Sequence, residues 1–178
     1  MLRELTAYLT GPENFTAVIV DLADPQWVHG VEPAIPAAMG WYYISTNTPV
    51  TTIQLQELPA RFYTNPQGRE IRVGNYDLRE RSIRFNDGPQ GLWSDCAIYS
   101  GYAGRTLLDQ RAVQHTYPHL GTGGLALGRY PDLHQYQWSF HYATLAGFLP
   151  NCANPIVVLR LGEQIWRSHY GWPILCDK

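Results

Sequence analysis

Apolar and polar positions follow two periods along this chain. HQYQWSFHYA at 134–143 alternates residue by residue, with Tyr136, Trp138, Phe140 and Tyr142 on one side and Gln135, Gln137, Ser139 and His141 on the other. That is the pattern of a half-buried strand. FTAVIVDL at 15–22 is almost continuously apolar and suits a buried strand. GWYYIST at 40–46 is a third strand of aromatic and β-branched residues, and VTTIQLQ at 50–56 is placed to pair back on it through the Asn47-Thr48-Pro49 turn. Residues 1–11 read as a short helix stopped by Gly11 and Pro12. Between 23 and 39, proline and glycine predict a loop over the surface. Asn154-Pro155 is an N-cap residue followed by proline at the first helical position, opening a last helix that runs to about Tyr170, before Gly171 and Pro173.

The stretch IYSGYAGRTLLDQRAVQH at 98–115 joins both periods. A short strand through Ala97, Ile98 and Tyr99 meets Gly101 and Gly104, whose missing side chains permit a sharp turn and a close backbone approach. Thr106 with Asp109 three residues later is a capping-box signature, and Leu107, Leu108, Ala112 and Val113 stand at helical spacing. Leu108, Arg111 and His115 fall at i, i+3 and i+7, so a cation and an imidazole leave one helix face above the turn that carries Tyr99. From about 57 to 94 the chain turns polar and irregular, and Arg69, Arg72, Arg79, Arg81 and Arg84 fall within sixteen residues. This segment reads as an insertion with some β-structure. HLGTGGLALG, after Pro118, reads as a loop rather than a phosphate-binding P-loop, since it lacks the Lys-Ser/Thr pair.

The whole chain of 178 residues is expected to form one domain. Its formal charge of -2 argues against indiscriminate coating of nucleic acid, while leaving room for a local basic patch. Lys178 is the sole lysine among thirteen basic side chains, so no interior lysine is present to act as a base. Cys96, Cys152 and Cys176 are odd in number and widely spaced, which disfavours a zinc cluster or a secreted disulfide framework and fits a reducing cytoplasm. Neither a signal peptide nor a membrane-length apolar run is seen. His115 and His119 form an HxxxH, but Pro118 between them disfavours a helical zinc site.

In order along the chain, Gly40-Trp41-Tyr42, Tyr99-Ser100-Gly101, Leu108-x-x-Arg111-x-x-x-His115, and Glu163 on a helix ending near Trp172-Pro173 resemble the motifs of the GIY-YIG nuclease superfamily. The position after the YxG motif, often lysine in relatives, is Tyr102, and the asparagine commonly found after the terminal proline is absent. The resemblance implies an α/β (α+β) fold, a small mixed and mostly antiparallel β-sheet flanked by helices, with the 57–94 insertion between the two motif strands. It implies hydrolysis of double-stranded DNA with Mg²⁺ or another divalent cation, in the manner of a sequence-selective restriction-type endonuclease. Tyr42 and Tyr99 would face the scissile phosphate, Arg111 would stabilise the phosphoryl oxygens, His115 would carry a proton, and Glu163 would hold the metal. Arg69, Arg72, Arg79, Arg81, Arg84 and Arg105 are expected to contact DNA, and a double-strand cut points to a homodimer.

Each of these residues also has an ordinary structural account. Arg160 and Arg167 stand at i−3 and i+4 from Glu163, where a helix-surface ion pair worth only a few tenths of a kcal/mol is expected (~0.2–0.5). Tyr42 and Tyr99 suit a strand core in any case. A non-catalytic nucleic-acid-binding module of the same fold, or an unrelated cytoplasmic enzyme or toxin, are the alternatives.

Overall fold

The computed structural model describes residues 1–24, 26–47, 61–64, 70–73, 97–116 and 134–171, with the backbone alone over 61–64, 70–73 and 97–98. In chain order these are α1 (Leu2–Thr10), a 3-10 turn (Pro12–Asn14), β1 (Thr16–Val20), α2 (Trp27–Gly30), β2 (Gly40–Thr46), β3 (Arg61–Thr64), β4 (Glu70–Val73), β5 (Ala97–Ala103), α3 (Leu108–Thr116), β6 (Trp138–Thr144), α4 (Leu145–Phe148) and α5 (Pro155–Tyr170). The class is mixed α+β. One sheet has strand order β1-β6-β2-β5, and every pairing in it is antiparallel. β3 and β4 pair as a separate antiparallel hairpin inside the polar insertion. The expected strand at 50–56, the rest of the 57–94 segment, the loop after Pro118, His119, Cys96, Cys176 and Trp172-Pro173 lie outside the described residues.

β2 is the interior strand, hydrogen-bonded to β6 on one side and β5 on the other. Its alternation sorts its side chains onto two covered faces, as GWYYIST requires. Tyr42 and Ile44 point with Tyr99, Phe140, Trp138 and Val18 toward α2 and α3, where Leu108 and Ala112 complete the core. Trp41 and Tyr43 point the other way, toward α1 and α5. Trp41 packs with Leu5, Leu9 and Leu159, and its indole N–H donates to the Leu159 carbonyl at 2.9 Å. Each such fully buried large side chain stabilises the fold by roughly 1.5–3 kcal/mol. α5 comes this close to the sheet because Gly162 has no side chain: a Cβ there would meet the Trp41 indole and, at 2.8 Å, Leu9. The helix ends at Gly171, whose φ of 97° lies where glycine is favoured.

Three sequence expectations are corrected. The apolar run at 15–22 forms an edge strand, not a fully buried one: Ile19 is 62% exposed, because α1 and α5 cover the neighbouring strands and leave the outer face of β1 open. The proline-rich loop at 23–39 holds a short helix anchored in the core, where Trp27 is buried and its indole donates to Thr116 Oγ1 at 2.8 Å, tying α2 to the end of α3. The start of α3 is also one residue later than the Thr106-Asp109 signature implies. Gln110 Oε1 accepts from the Leu107 backbone N–H at 3.2 Å, the return bond of a capping box shifted by one position.

Candidate functional site

The five residues singled out by the sequence motifs come from β2, β5, α3 and α5: Tyr42, Tyr99 and His115 pack together on the α3 face of the sheet beside its β5 edge, Arg111 stands one turn along α3, and Glu163 stands on α5, which packs on the opposite face. Tyr42 and Tyr99 lie on the same face of neighbouring strands, offset by one pleat: Tyr42 is registered with Gly101, and Tyr99 with Ile44. Their rings stack with centroids 6.3 Å apart and planes 20° apart. Gly101 makes this possible. It stands within β5, not in a turn, and a Cβ on it would lie 2.6 Å from the Tyr42 hydroxyl and 2.8 Å from the ring carbon bearing it. The glycine of Tyr99-Ser100-Gly101 therefore supplies space for a tyrosine lying across the strand. The sharp turn expected at Gly101 is absent.

The Tyr42 ring reaches α3, where its Oη lies 2.7 Å from His115 Nε2. The two side chains are buried, at 3% and 4% exposure, and the Tyr99 ring also packs on His115 with centroids 4.5 Å apart. A phenol against an imidazole nitrogen at this distance can pass a proton either way, with the donor set by the histidine tautomer. Tyr99 is half-buried and is the more accessible of the two tyrosines.

Arg111 leaves α3 one turn before His115. Its Nη1 donates to Gln114 Oε1 at 3.1 Å, while its Nε is buried and has no acceptor among the described residues. An unmet buried N–H of this kind is costly unless something supplies an oxygen. The Arg111 charge reaches Glu163 of α5. Burial pushes the Glu163 carboxyl above the usual carboxylate range, and the charges of Arg167 and then Arg111 pull it back toward ionisation.

Arg167 is the residue whose weight the sequence understates. The expected surface ion pair with Glu163 exists at 2.8 Å, but it is buried, with side-chain exposures of 5% and 16%. Arg167 also donates through Nε to Ser100 Oγ at 3.0 Å and through Nη2 to the Ser100 carbonyl at 2.9 Å. One guanidinium thus fastens the Glu163 carboxylate to the backbone of β5, beside Tyr99. The i, i+4 spacing to Glu163 is visible in the sequence; the serine partner is not, because only the β2–β5 pairing turns Ser100 toward α5.

The arginines expected to hold DNA are less fully placed. Arg105 is exposed, in the turn between β5 and α3. Arg72 falls in β4 of the hairpin, and Arg69, Arg79, Arg81 and Arg84 lie outside the described residues. Among the described residues no three His, Cys, Asp or Glu side chains gather as a metal-binding group. Glu163 offers a single carboxylate with two guanidinium groups near it. That donor chemistry suits a hard cation only when waters and phosphate oxygens complete its shell and offset the arginines. No helix among the described residues is long and apolar enough to cross a membrane. The chain matches no family model, no curated protein and no solved structure.

Proposed function

We propose that this chain is a metal-dependent DNA endonuclease of the GIY-YIG kind. The observation that carries the reading is the packing of Tyr42, Tyr99 and His115 beside the β5 edge, with Arg111 one turn along the same helix as His115 and its charge acting on Glu163 of α5. A proton-passing phenol–imidazole pair, a guanidinium with an unmet donor and an ionisable carboxylate are the groups that phosphodiester hydrolysis uses.

In this reading the phosphate docks against Arg111, whose free Nε–H and fixed charge stabilise the negative charge that grows on the phosphoryl oxygens. Tyr99 orients the attacking water; Tyr42 passes its hydroxyl proton to His115 Nε2 and accepts the proton of the water as the new P–O bond forms, and the ester bond breaks with the leaving oxygen protonated from solvent. Glu163 would hold a divalent cation such as Mg²⁺, which would supply charge stabilisation there. Arg167 keeps that carboxylate in place. The arginines of the insertion, with Arg105, contact the backbone and the grooves and give sequence selectivity. Cutting both strands calls for two sites, hence a homodimer on DNA.

One observation favours a second reading. Because Arg167 already engages Glu163, the chain would serve equally as a nucleic-acid-binding module without metal or cleavage. Incubation of the purified protein with plasmid and phage DNA separates the two. Discrete fragments in Mg²⁺ that disappear in EDTA support the nuclease; DNA bound but intact, with affinity indifferent to Mg²⁺, supports the module.

A further inference from the structure

The ladder that fastens α5 to β5 has a second rung that the proposed chemistry does not use. Arg160, Glu163 and Arg167 stand at i, i+3 and i+7 on α5, and Ser100 and Tyr102 stand at i and i+2 on β5. Arg167 holds Ser100; Arg160 donates through Nε to the Tyr102 hydroxyl at 3.2 Å. Gly104 permits the second contact, because a Cβ there would meet Ile156 of α5 at 2.7 Å and the Tyr102 ring at 3.4 Å. The missing side chain lets the end of β5 settle against α5 and sets the tyrosine below the arginine.

The two rungs differ in what they leave over. Arg167 is buried and engaged by both Glu163 and Ser100. Arg160 is exposed and held by Nε alone, and its two terminal nitrogens have no partner among the described residues. The nearest acid on its own helix face, Glu163, is taken by Arg167. A guanidinium fixed by one nitrogen, with its terminal pair facing water, has the form that receives a phosphodiester oxygen pair. Its Cα stands about one helical turn from that of Glu163, a rise of about 4.5 Å along α5. Arg105, exposed just past Tyr102, adds positive charge at the same end of β5.

We propose that Tyr102 and Arg160 form a second phosphate subsite, on the α5 face of β5, which takes an unreacted phosphodiester of the DNA backbone away from the phosphate at Arg111. It rests on the nuclease reading and fixes the register of the strand being cut.

The test is the salt dependence of binding to a mixed-sequence DNA duplex, followed by fluorescence anisotropy in EDTA. Wild type is compared with Arg160→Met, Tyr102→Phe and the exposed α1 residue variant Arg3→Met. Losing one phosphate contact makes the slope of log K against log salt shallower by about 0.9. Arg160→Met should show that loss, and Arg3→Met should not. Tyr102→Phe keeps the charge, so it should weaken binding with the slope unchanged. If wild type binds and cleaves DNA while Arg160→Met keeps the wild-type slope, or Arg3→Met loses as much, the subsite is overturned and the nuclease reading stands. A wild-type chain with no DNA affinity overturns both.

Discussion

Tyr42 Oη and His115 Nε2 lie 2.7 Å apart, both buried, although seventy-three residues separate them in the chain. The pair is the part of the site best suited to moving a proton, and Tyr42→Phe removes its hydroxyl while keeping the ring that stacks on Tyr99 and Phe140. Loss of one buried hydrogen bond should cost about 1–2 kcal/mol of stability. The rate of DNA cleavage should fall by about 10²–10⁴-fold, as for a lost proton-transfer group. Chemical denaturation and a cleavage time course on the folded variant check both figures; undiminished cleavage would remove Tyr42 from the chemistry.

Gly101→Ala should act through Tyr42. β5 is held by its ladder to β2, so the new methyl group must displace the tyrosine ring that lies 2.6–2.8 Å from its position. Overpacking of this sort costs about 1–3 kcal/mol. In a Tyr42→Ala background the obstacle is gone, and the same substitution should cost much less. A double-mutant cycle by denaturant unfolding measures the coupling; additive losses would mean that Gly101 matters for another reason.

Arg167→Met should be among the most damaging single changes on α5. It leaves the Glu163 carboxylate and the Ser100 carbonyl without this partner in a buried place, for which about 3–5 kcal/mol is expected. An exposed helix pair would cost only about 0.2–0.5 kcal/mol. The midpoint of urea unfolding distinguishes these, and a shift near the smaller figure would return Glu163–Arg167 to the status of a surface pair.

His141 sets a pH dependence of stability away from the site. It lies flat on Tyr43 with ring centroids 4.2 Å apart, and its Nε2 is 2.7 Å from Ser45 Oγ. Burial pulls its pKa from 6.5 down to about 4. The unfolded chain therefore binds a proton that the folded chain refuses. The contribution is complete above pH 6.5 and is lost as pH falls toward 4, by up to roughly 3 kcal/mol. Unfolding at a series of pH values should show this loss in wild type and a flatter profile in His141→Phe. An equal slope in both would assign the acid sensitivity to other groups.

Much of the fold is legible in the residue pattern, for identifiable reasons. β2 coincides with its aromatic run because both faces of that strand are covered, and α5 begins at Pro155 and ends before Gly171 because its stop signals are local. β1 is less legible: a continuous apolar run does not say whether a helix covers both sides, and here Ile19 is left exposed. α2 is too short, at four residues, for periodicity to reveal, and its anchor Trp27 stands in a proline-rich loop. The alternation at 134–143 identifies β6, yet pairing with β2 starts only at Trp138. Within the site, the spacing of Arg111 and His115 is local and readable, whereas the Ser100–Arg167 contact and the space above Gly101 exist only once β2, β5 and α5 are assembled.

The activity proposed for this site is cleavage of DNA with a divalent cation. Its most direct test is plasmid cleavage in Mg²⁺ by wild type, Arg111→Ala and Glu163→Gln, with circular dichroism confirming that each is folded. Glu163→Gln is chosen because its amide oxygen still accepts from Arg167 while losing the charge that would hold the cation. Wild type should give metal-dependent nicked or linear DNA, and each variant should lose at least about 10²-fold. Plasmid left intact by the wild-type protein, or cut equally well by both folded variants, would contradict it.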